Sequence, residues 1–183
     1  ENEMTDVAEP IVDELIAEDV IAERVISLAK DIAHSEPEDM LIVVILKGSF
    51  VFAADLIRAL NRAGAKPWVD FMTLSSYGDG MRSKGAVTLS RDISEDVTGR
   101  HVLIVDDILE SGRTLLFARD LLSGRGAVSV KTCLLLDKTE KREVAVEADY
   151  TGFEIGDQFV IGYGLDLAHR YRGLPYIGVV RRD

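Results

Sequence analysis

Apolar residues along this chain fall into two alternating patterns, short unbroken runs and longer stretches at helical spacing. Val102 to Val105 is a continuous apolar run, the pattern of a strand buried on both faces; Met40 to Leu46 and Val128 to Leu136 read as further buried strands, and Trp68 to Leu74 as another strand. Between them, Ile21, Val25, Leu28, Ala29 and Ile32 recur at helical spacing from Asp19 onward, with Asp19 placed to cap the helix. Phe50 to Leu60 and Leu115 to Leu122 follow the same rule; Ser49 stands where the first of these needs a cap, and Gly64 where it needs a stop. The segment before Asp19 reads equally well as strand or helix. Val87 to Arg91 predicts a return strand after a polar loop at Ser75 to Gly85, and Phe159 to Ile161 and Tyr176 to Val180 predict two short final strands. Asp137 to Asp149 is strongly charged and predicts no element.

Strands alternating with helices predict an α/β fold with a central, mainly parallel sheet flanked by helices on both faces. Ligands of such sheets sit at the carboxyl ends of the strands, near the point where strand order reverses. Lys47-Gly48, the loop beginning at Ser76-Tyr77, Asp106 to Thr114 and Lys138 all lie just after predicted strands, so they should meet along one edge.

The richest of these stretches is His101 to Thr114. Four apolar residues run into Asp106 and Asp107, where the strand is expected to stop. Ile108, Leu109 and the loop Glu110-Ser111-Gly112-Arg113-Thr114 then lead into a helix. Backbone N–H groups of a glycine turn entering a helix form an anion site, and the Ser111 and Thr114 hydroxyls add donors. A monophosphate fits. Adjacent carboxylates repel a phosphate but accept hydrogen bonds from a diol, which places a ribose beside the phosphate. Neither a Walker P-loop nor a dinucleotide-binding glycine motif occurs.

Composition narrows the chemistry. At 183 residues, 47% of them hydrophobic and 29% charged, the chain suits one soluble domain, and residues 1–183 are expected to form it. No apolar run approaches the ~18–20 residues of a membrane span, and Glu1-Asn2-Glu3-Met4 lacks the order of a signal peptide, so a cytoplasmic protein with no membrane partner is expected. A net charge of −11 disfavours nucleic acid as a partner, so a phosphate must be held by a local arrangement, which a divalent cation would assist. Cys133, alone and among leucines, reads as a small buried hydrophobe. His34, His101 and His169 form no ligand set.

The string Val102 to Thr114 resembles the phosphoribosyl-pyrophosphate motif of the type I phosphoribosyltransferases: four apolar residues, two acidic, two apolar, one acidic, then Ser/Thr-Gly-x-Thr. Leu46-Lys47-Gly48-Ser49-Phe50, Ser76-Tyr77, Leu136-Asp137-Lys138-Thr139 and Gly152 through Arg172 extend the resemblance to the hypoxanthine-guanine branch of that family, over nearly the whole chain from about Leu15. It implies a core over about 35–136 and a small hood from about 10–18 and 137–183.

By the same resemblance, Asp106 and Asp107 hold the ribose hydroxyls with Mg2+ nearby, and Glu110, Ser111, Gly112, Arg113 and Thr114 cradle the 5'-phosphate. Lys47-Gly48, with an unusual cis peptide, binds pyrophosphate together with Arg172, and Asp166 serves a second metal site. Ser76 and Tyr77 belong to a lid. Lys138 donates to the purine 6-oxo group, Phe159 stacks on the base, and the Val160 backbone reads its pyrimidine edge. The implied activity joins a 6-oxopurine to phosphoribosyl pyrophosphate in a homodimer or homotetramer; the alternatives are a nucleotide-sensing regulator of the same fold or a xanthine-preferring transferase.

Glu110 departs from the pattern, because relatives of this branch carry Asp there. It is the candidate acceptor for the base N7 proton, but its extra methylene adds roughly 1.5 Å. An error near ~1 Å can cost about a hundredfold in rate. A folded-back rotamer or a bridging water is therefore expected.

Overall fold

The computed structural model describes residues 9–77 and 86–181. Its main sheet has six strands: β2 (Leu41–Leu46), β3 (Trp68–Tyr77), β4 (Ala86–Arg91), β5 (His101–Leu109), β6 (Ser129–Asp137) and β7 (Tyr150–Glu154). Their spatial order is β4-β3-β2-β5-β6-β7, parallel throughout except for the antiparallel β3–β4 edge. Helix α2 (Phe50–Arg62) joins β2 to β3 on one side, and α3 (Arg113–Gly124) joins β5 to β6 on the other. Strand order therefore reverses between β2 and β5, and a cleft opens between their carboxyl ends.

The central strands β2 and β5 are dry on both faces, whereas β3 exposes Trp68 and Phe71 near the sheet edge. On one face Ile42, Val44, Leu103 and Val105 pack under α2 and α1 (Glu18–Ser35). On the other, Leu41, Val43, Ile45, Val102 and Ile104 meet Leu115, Ala118 and Leu122 of α3. Successive residues of one strand thus serve two separate cores.

A second sheet of three strands, β1 (Val12–Ile16), β9 (Ile177–Val180) and β8 (Val160–Ile161), in the order β1-β9-β8, stands where the hood was expected. The ambiguous segment before Asp19 is its first strand. β7, which the charged stretch before it concealed, belongs to the main sheet and not to the hood. Gly152 lets it lie close to β6, since a Cβ there would stand 2.4 Å from the Leu135 carbonyl oxygen.

Other boundaries also move. Helix α1 starts at Glu18 with Ala17 at the cap position, and the Asp19 carboxylate accepts the Val20 N–H at 2.9 Å instead of capping. Ser49 occupies the cap position of α2, yet its hydroxyl donates back to the Ile45 carbonyl. The expected strand end at Asp106-Asp107 is overturned: β5 continues through both carboxylates to Leu109, pairing Asp106 with Leu134 and Leu109 with Asp137. Ser76 and Tyr77 lie not in a loop but in β3, opposite Val87 and Ala86. The remainder of the expected lid, 78–85, lies outside the described residues. Among the described residues no helix is long and apolar enough to cross a membrane.

Candidate active site

At the reversal of strand order, the chain after β2 packs closely against the end of β5. A Cβ on Gly48 would stand 2.0 Å from Asp107 Oδ2, so any side chain there would displace that carboxylate. The non-proline cis peptide is Leu46–Lys47, one bond before the expected place. Lys47 is exposed beside it. Across the cleft, a Cβ on Gly164 would stand 2.5 Å from the Gly48 carbonyl oxygen. Arg172 Nη1 donates to the Gly164 carbonyl at 2.7 Å, and its Nη2 lies 3.3 Å from Asp166 Oδ1. Asp166 Oδ2 accepts the His169 N–H at 2.8 Å. Lys47, Gly48, Asp107, Gly164, Arg172 and Asp166 thus form one wall, much of it backbone.

Asp106 and Asp107 sit at the foot of that wall. Asp106 is 8% exposed; burial first, and then the neighbouring Asp107 charge, push its carboxyl well above the usual range. Burial likewise raises Asp107, although the Ile108 N–H, donated to its Oδ1 at 2.6 Å, acts in the opposite direction. No cation is paired with either carboxylate among the described residues. A buried and a half-buried carboxylate side by side are suited to a diol, or to a divalent cation that would relieve their repulsion. No cluster of three acidic, His or Cys side chains occurs among the described residues, so such a cation would take its remaining oxygens from substrate and water.

The loop following β5 is seated rather than floating. Gly112 has φ +86°, and a Cβ on it would stand 2.4 Å from Val146 Cγ1. Glycine is therefore needed both for its conformation and for the contact. The Glu143 and Val144 N–H groups both donate to the Ser111 carbonyl, at 2.9 and 3.2 Å, and the Lys138 N–H donates to Leu109 at 2.9 Å. Arg142 bridges the loop to the sheet: Nη1 donates to the Glu110 carbonyl at 3.0 Å and Nη2 to Asp137 Oδ1 at 2.5 Å. The charged run that predicts no element is thus the floor of the loop. Nothing in the local sequence marks Arg142, because one of its partners, the Glu110 carbonyl, comes from the end of another strand. Arg113 turns outward to Glu143 Oε2 at 2.7 Å, and Thr114 lies in the first turn of α3.

On the far side of the loop, Glu110, Ser111, Lys138, Lys141, Glu143, Asp157 and Phe159 line an open cavity of about 380 Å3. Lys138 is 5% exposed, and its Nζ donates to Glu110 Oε1 at 2.7 Å. Glu110 thus reaches the lysine directly, with no bridging group between them. Lys141 and Asp157 pair at 3.1 Å on the rim. Phe159 is 41% exposed at the mouth, and Val160 behind it is buried in β8.

A glycine loop, a carboxylate pair and a cavity large enough for a small molecule meet where strand order reverses in this α/β protein, the position at which folds of this class bind ligands. The match to the family model "Phosphoribosyl transferase domain" spans residues 12–168, and the chain belongs to that family. It is 46% identical to the hypoxanthine phosphoribosyltransferase of Escherichia coli over 172 residues, covering 92% of this chain and 95% of that one. It is also 46% identical to the bifunctional protein TilS/HprT of Listeria innocua over 170 residues, of whose length it spans 26%. A crystal structure of a hypoxanthine-guanine phosphoribosyltransferase from Bacillus anthracis, with HEPES in its active site, superposes with a TM-score of 0.87 at 43% identity. That match covers 94% of this chain and 100% of the other.

Proposed function

We propose that the chain is a purine salvage transferase that joins a 6-oxopurine, hypoxanthine or guanine, to 5-phosphoribosyl 1-pyrophosphate, giving the nucleoside 5'-monophosphate and pyrophosphate. The observation that carries this reading is the Lys138–Glu110 pair. A 6-oxopurine has an acceptor, O6, and a donor, N7–H, side by side on one edge. The pair offers a donor and an acceptor side by side, 2.7 Å apart, on the wall of a cavity with Phe159 at its mouth. A 6-amino group would set donor against donor, so adenine is disfavoured.

The remaining roles follow from charge. Displacement at the anomeric carbon builds positive charge on the sugar and negative charge on the leaving pyrophosphate. Asp106 and Asp107 hold the ribose hydroxyls and lie beside the developing cation. Glu110 to Thr114 hold the 5'-phosphate through backbone N–H groups and the Ser111 and Thr114 hydroxyls. Lys47, the Gly48 backbone and Arg172 receive the leaving group, and Glu110 takes the N7 proton as the new bond forms. Asp106 and Asp107, and Asp166 at a second position, would hold Mg2+, which would neutralise charge at the diphosphate. Val160 contributes backbone groups to the pyrimidine edge, and Ser76 and Tyr77 carry a covering loop. The reading extends to a single domain acting in the cytoplasm as a homodimer or homotetramer.

Pyrophosphate release measured with hypoxanthine, guanine, xanthine and adenine separately tests it. Turnover with the first two and little with adenine is the expected result. Release with none of them would sink the transferase reading, and a strong preference for xanthine would move the specificity.

A further inference from the structure

The wall facing Asp107 contains a run of backbone that side-chain-bearing residues avoid. Gly162, Tyr163 and Gly164 have φ of +92°, +49° and +97°, three left-handed residues in succession with a tyrosine in the middle. A tyrosine persists in that region only where its surroundings over-determine it. Four backbone bonds act on the turn: Gly162 and Leu165 exchange N–H to carbonyl bonds at 3.0 Å each, the Tyr163 N–H donates to the Leu174 carbonyl at 2.8 Å and the Gly164 N–H to the Arg172 carbonyl at 2.9 Å. A further restraint comes from another part of the fold. The Tyr163 hydroxyl donates to Asp55 Oδ2 at 2.5 Å, and Asp55 sits on α2, whose first turn follows directly from Lys47-Gly48-Ser49. The other Asp55 oxygen, Oδ1, accepts from Arg58 at 2.5 Å, which fixes the orientation of the carboxylate.

Tyr163 is 7% exposed, and burial together with the Asp55 carboxylate keeps its phenol protonated, so it remains a donor at any working pH. Its turn sets two things at once. It places Gly164 against the Gly48 carbonyl with no room for a methyl group, and it presents the Gly164 carbonyl that orients Arg172 at 2.7 Å. Behind the turn, Val51, Asp55, Tyr163, Arg172 and Leu174 line a cavity of about 280 Å3, so packing against Val51 is incomplete on that side. The hydroxyl bond joins two residues of its lining.

The geometry points to Tyr163 and Asp55 as positioning residues that hold the two halves of the leaving-group subsite, Lys47-Gly48 on one side and Arg172 on the other, at a fixed separation. They touch no substrate. Removing their bond lets the Gly164 wall drift from Gly48, which weakens the grip on a diphosphate and leaves the base cavity, built by β5, β6 and Phe159, as it is.

The inference rests on the transferase reading above, so two kinds of measurement are needed. Calorimetric binding of inorganic pyrophosphate with Mg2+ reports the subsite directly, and steady-state kinetics report KM for phosphoribosyl pyrophosphate and for hypoxanthine separately. Tyr163→Phe keeps the buried ring and loses only the hydroxyl. It should weaken pyrophosphate binding and raise the KM for phosphoribosyl pyrophosphate by about tenfold, with the KM for hypoxanthine within about twofold of the parent. Asp55→Asn keeps an acceptor and should stay near the parent, whereas Asp55→Leu should match Tyr163→Phe. The double variant Y163F/D55L should be no worse than either single, because one bond is removed once. An unchanged pyrophosphate affinity in Tyr163→Phe, or an equal rise in both KM values, overturns the inference while parental turnover leaves the transferase reading standing. A parent protein that releases no pyrophosphate overturns that reading, and the inference falls with it.

Discussion

The two sides of the cleft are built by different means. On the leaving-group side, Gly48, Asp107 and Gly164 meet through backbone and short side chains with no space for a methyl group. On the base side, Lys138 and Glu110 meet across an open cavity through long side chains, with Glu110 52% exposed. A wall made of backbone has one arrangement, whereas a wall made of long side chains can exchange a partner without moving the fold. That difference suits the two tasks proposed for them: a diphosphate held in one geometry while its bond breaks, and a base that enters by displacing an internal ion pair.

Changes that add volume to the tight side test this contrast most severely. Gly48→Ala places a methyl group 2.0 Å from Asp107 Oδ2. The carboxylate can rotate away only by giving up the Ile108 N–H, so kcat/KM should fall by more than about a hundredfold while the protein still folds. Retained activity would show that the wall is softer than its distances imply. On the open side, Lys138→Met keeps volume and removes the donor. The kcat/KM for hypoxanthine should fall by about a hundredfold, and the preference over adenine should narrow. Stability should change by less than about 1 kcal/mol, because Glu110 is half exposed and regains water. A large stability loss would contradict the idea that this side is loosely built.

Asp106 separates stability from function. Its carboxyl is raised above the ordinary 3.8 mainly by burial, so it favours the folded state while protonated, and that contribution disappears as pH rises through the raised value. Asp106→Asn should abolish turnover yet raise Tm at pH 7 by about 2–4 °C, the shift that about 1 kcal/mol gives in a chain of this size. The gain should fade as pH falls and vanish below 3.8, where the parental carboxyl is protonated in both states. Thermal melts of the two proteins across that range decide it, and a gain independent of pH would show that the charge is not the cause. The smallest effect belongs away from the cleft. The paired contacts of Arg125 with Asp92, at 2.7 Å each, are half exposed, so Asp92→Asn should cost about 0.5 kcal/mol and leave both KM values unchanged.

The parts of this arrangement that were legible in the sequence are those fixed by neighbours in the chain. Val102 to Val105 announced a buried strand, and Gly112 between hydroxyls announced an anion loop. The course of β5 through Asp106 and Asp107 was not legible, because two carboxylates in a buried strand make sense only once β2 and β6 are seen flanking a cleft. Ser75 to Tyr77 looked like loop because its polar residues pair with β4 at the sheet edge, where neither face must be dry. β7 was hidden because its short span alternates weakly and its Gly152 answers to a carbonyl on β6. The Lys138–Glu110 pair spans 28 residues of sequence, and Arg142 joins two strand ends that only topology brings together. The resemblance assigned roles to Glu110 and Lys138 singly; their direct contact is visible only in the folded chain.

Cys133 lies fully buried in the middle of β6, and burial pushes its thiol up to about 12. At neutral pH it holds almost no thiolate and is screened from reagents. The molecule is therefore chemically silent toward maleimides and similar probes without any prior mutation. A cysteine introduced at exposed Phe159 or Lys47 would be the single reactive thiol, so a fluorophore or spin label could report the opening of either side of the cleft from an otherwise unaltered background.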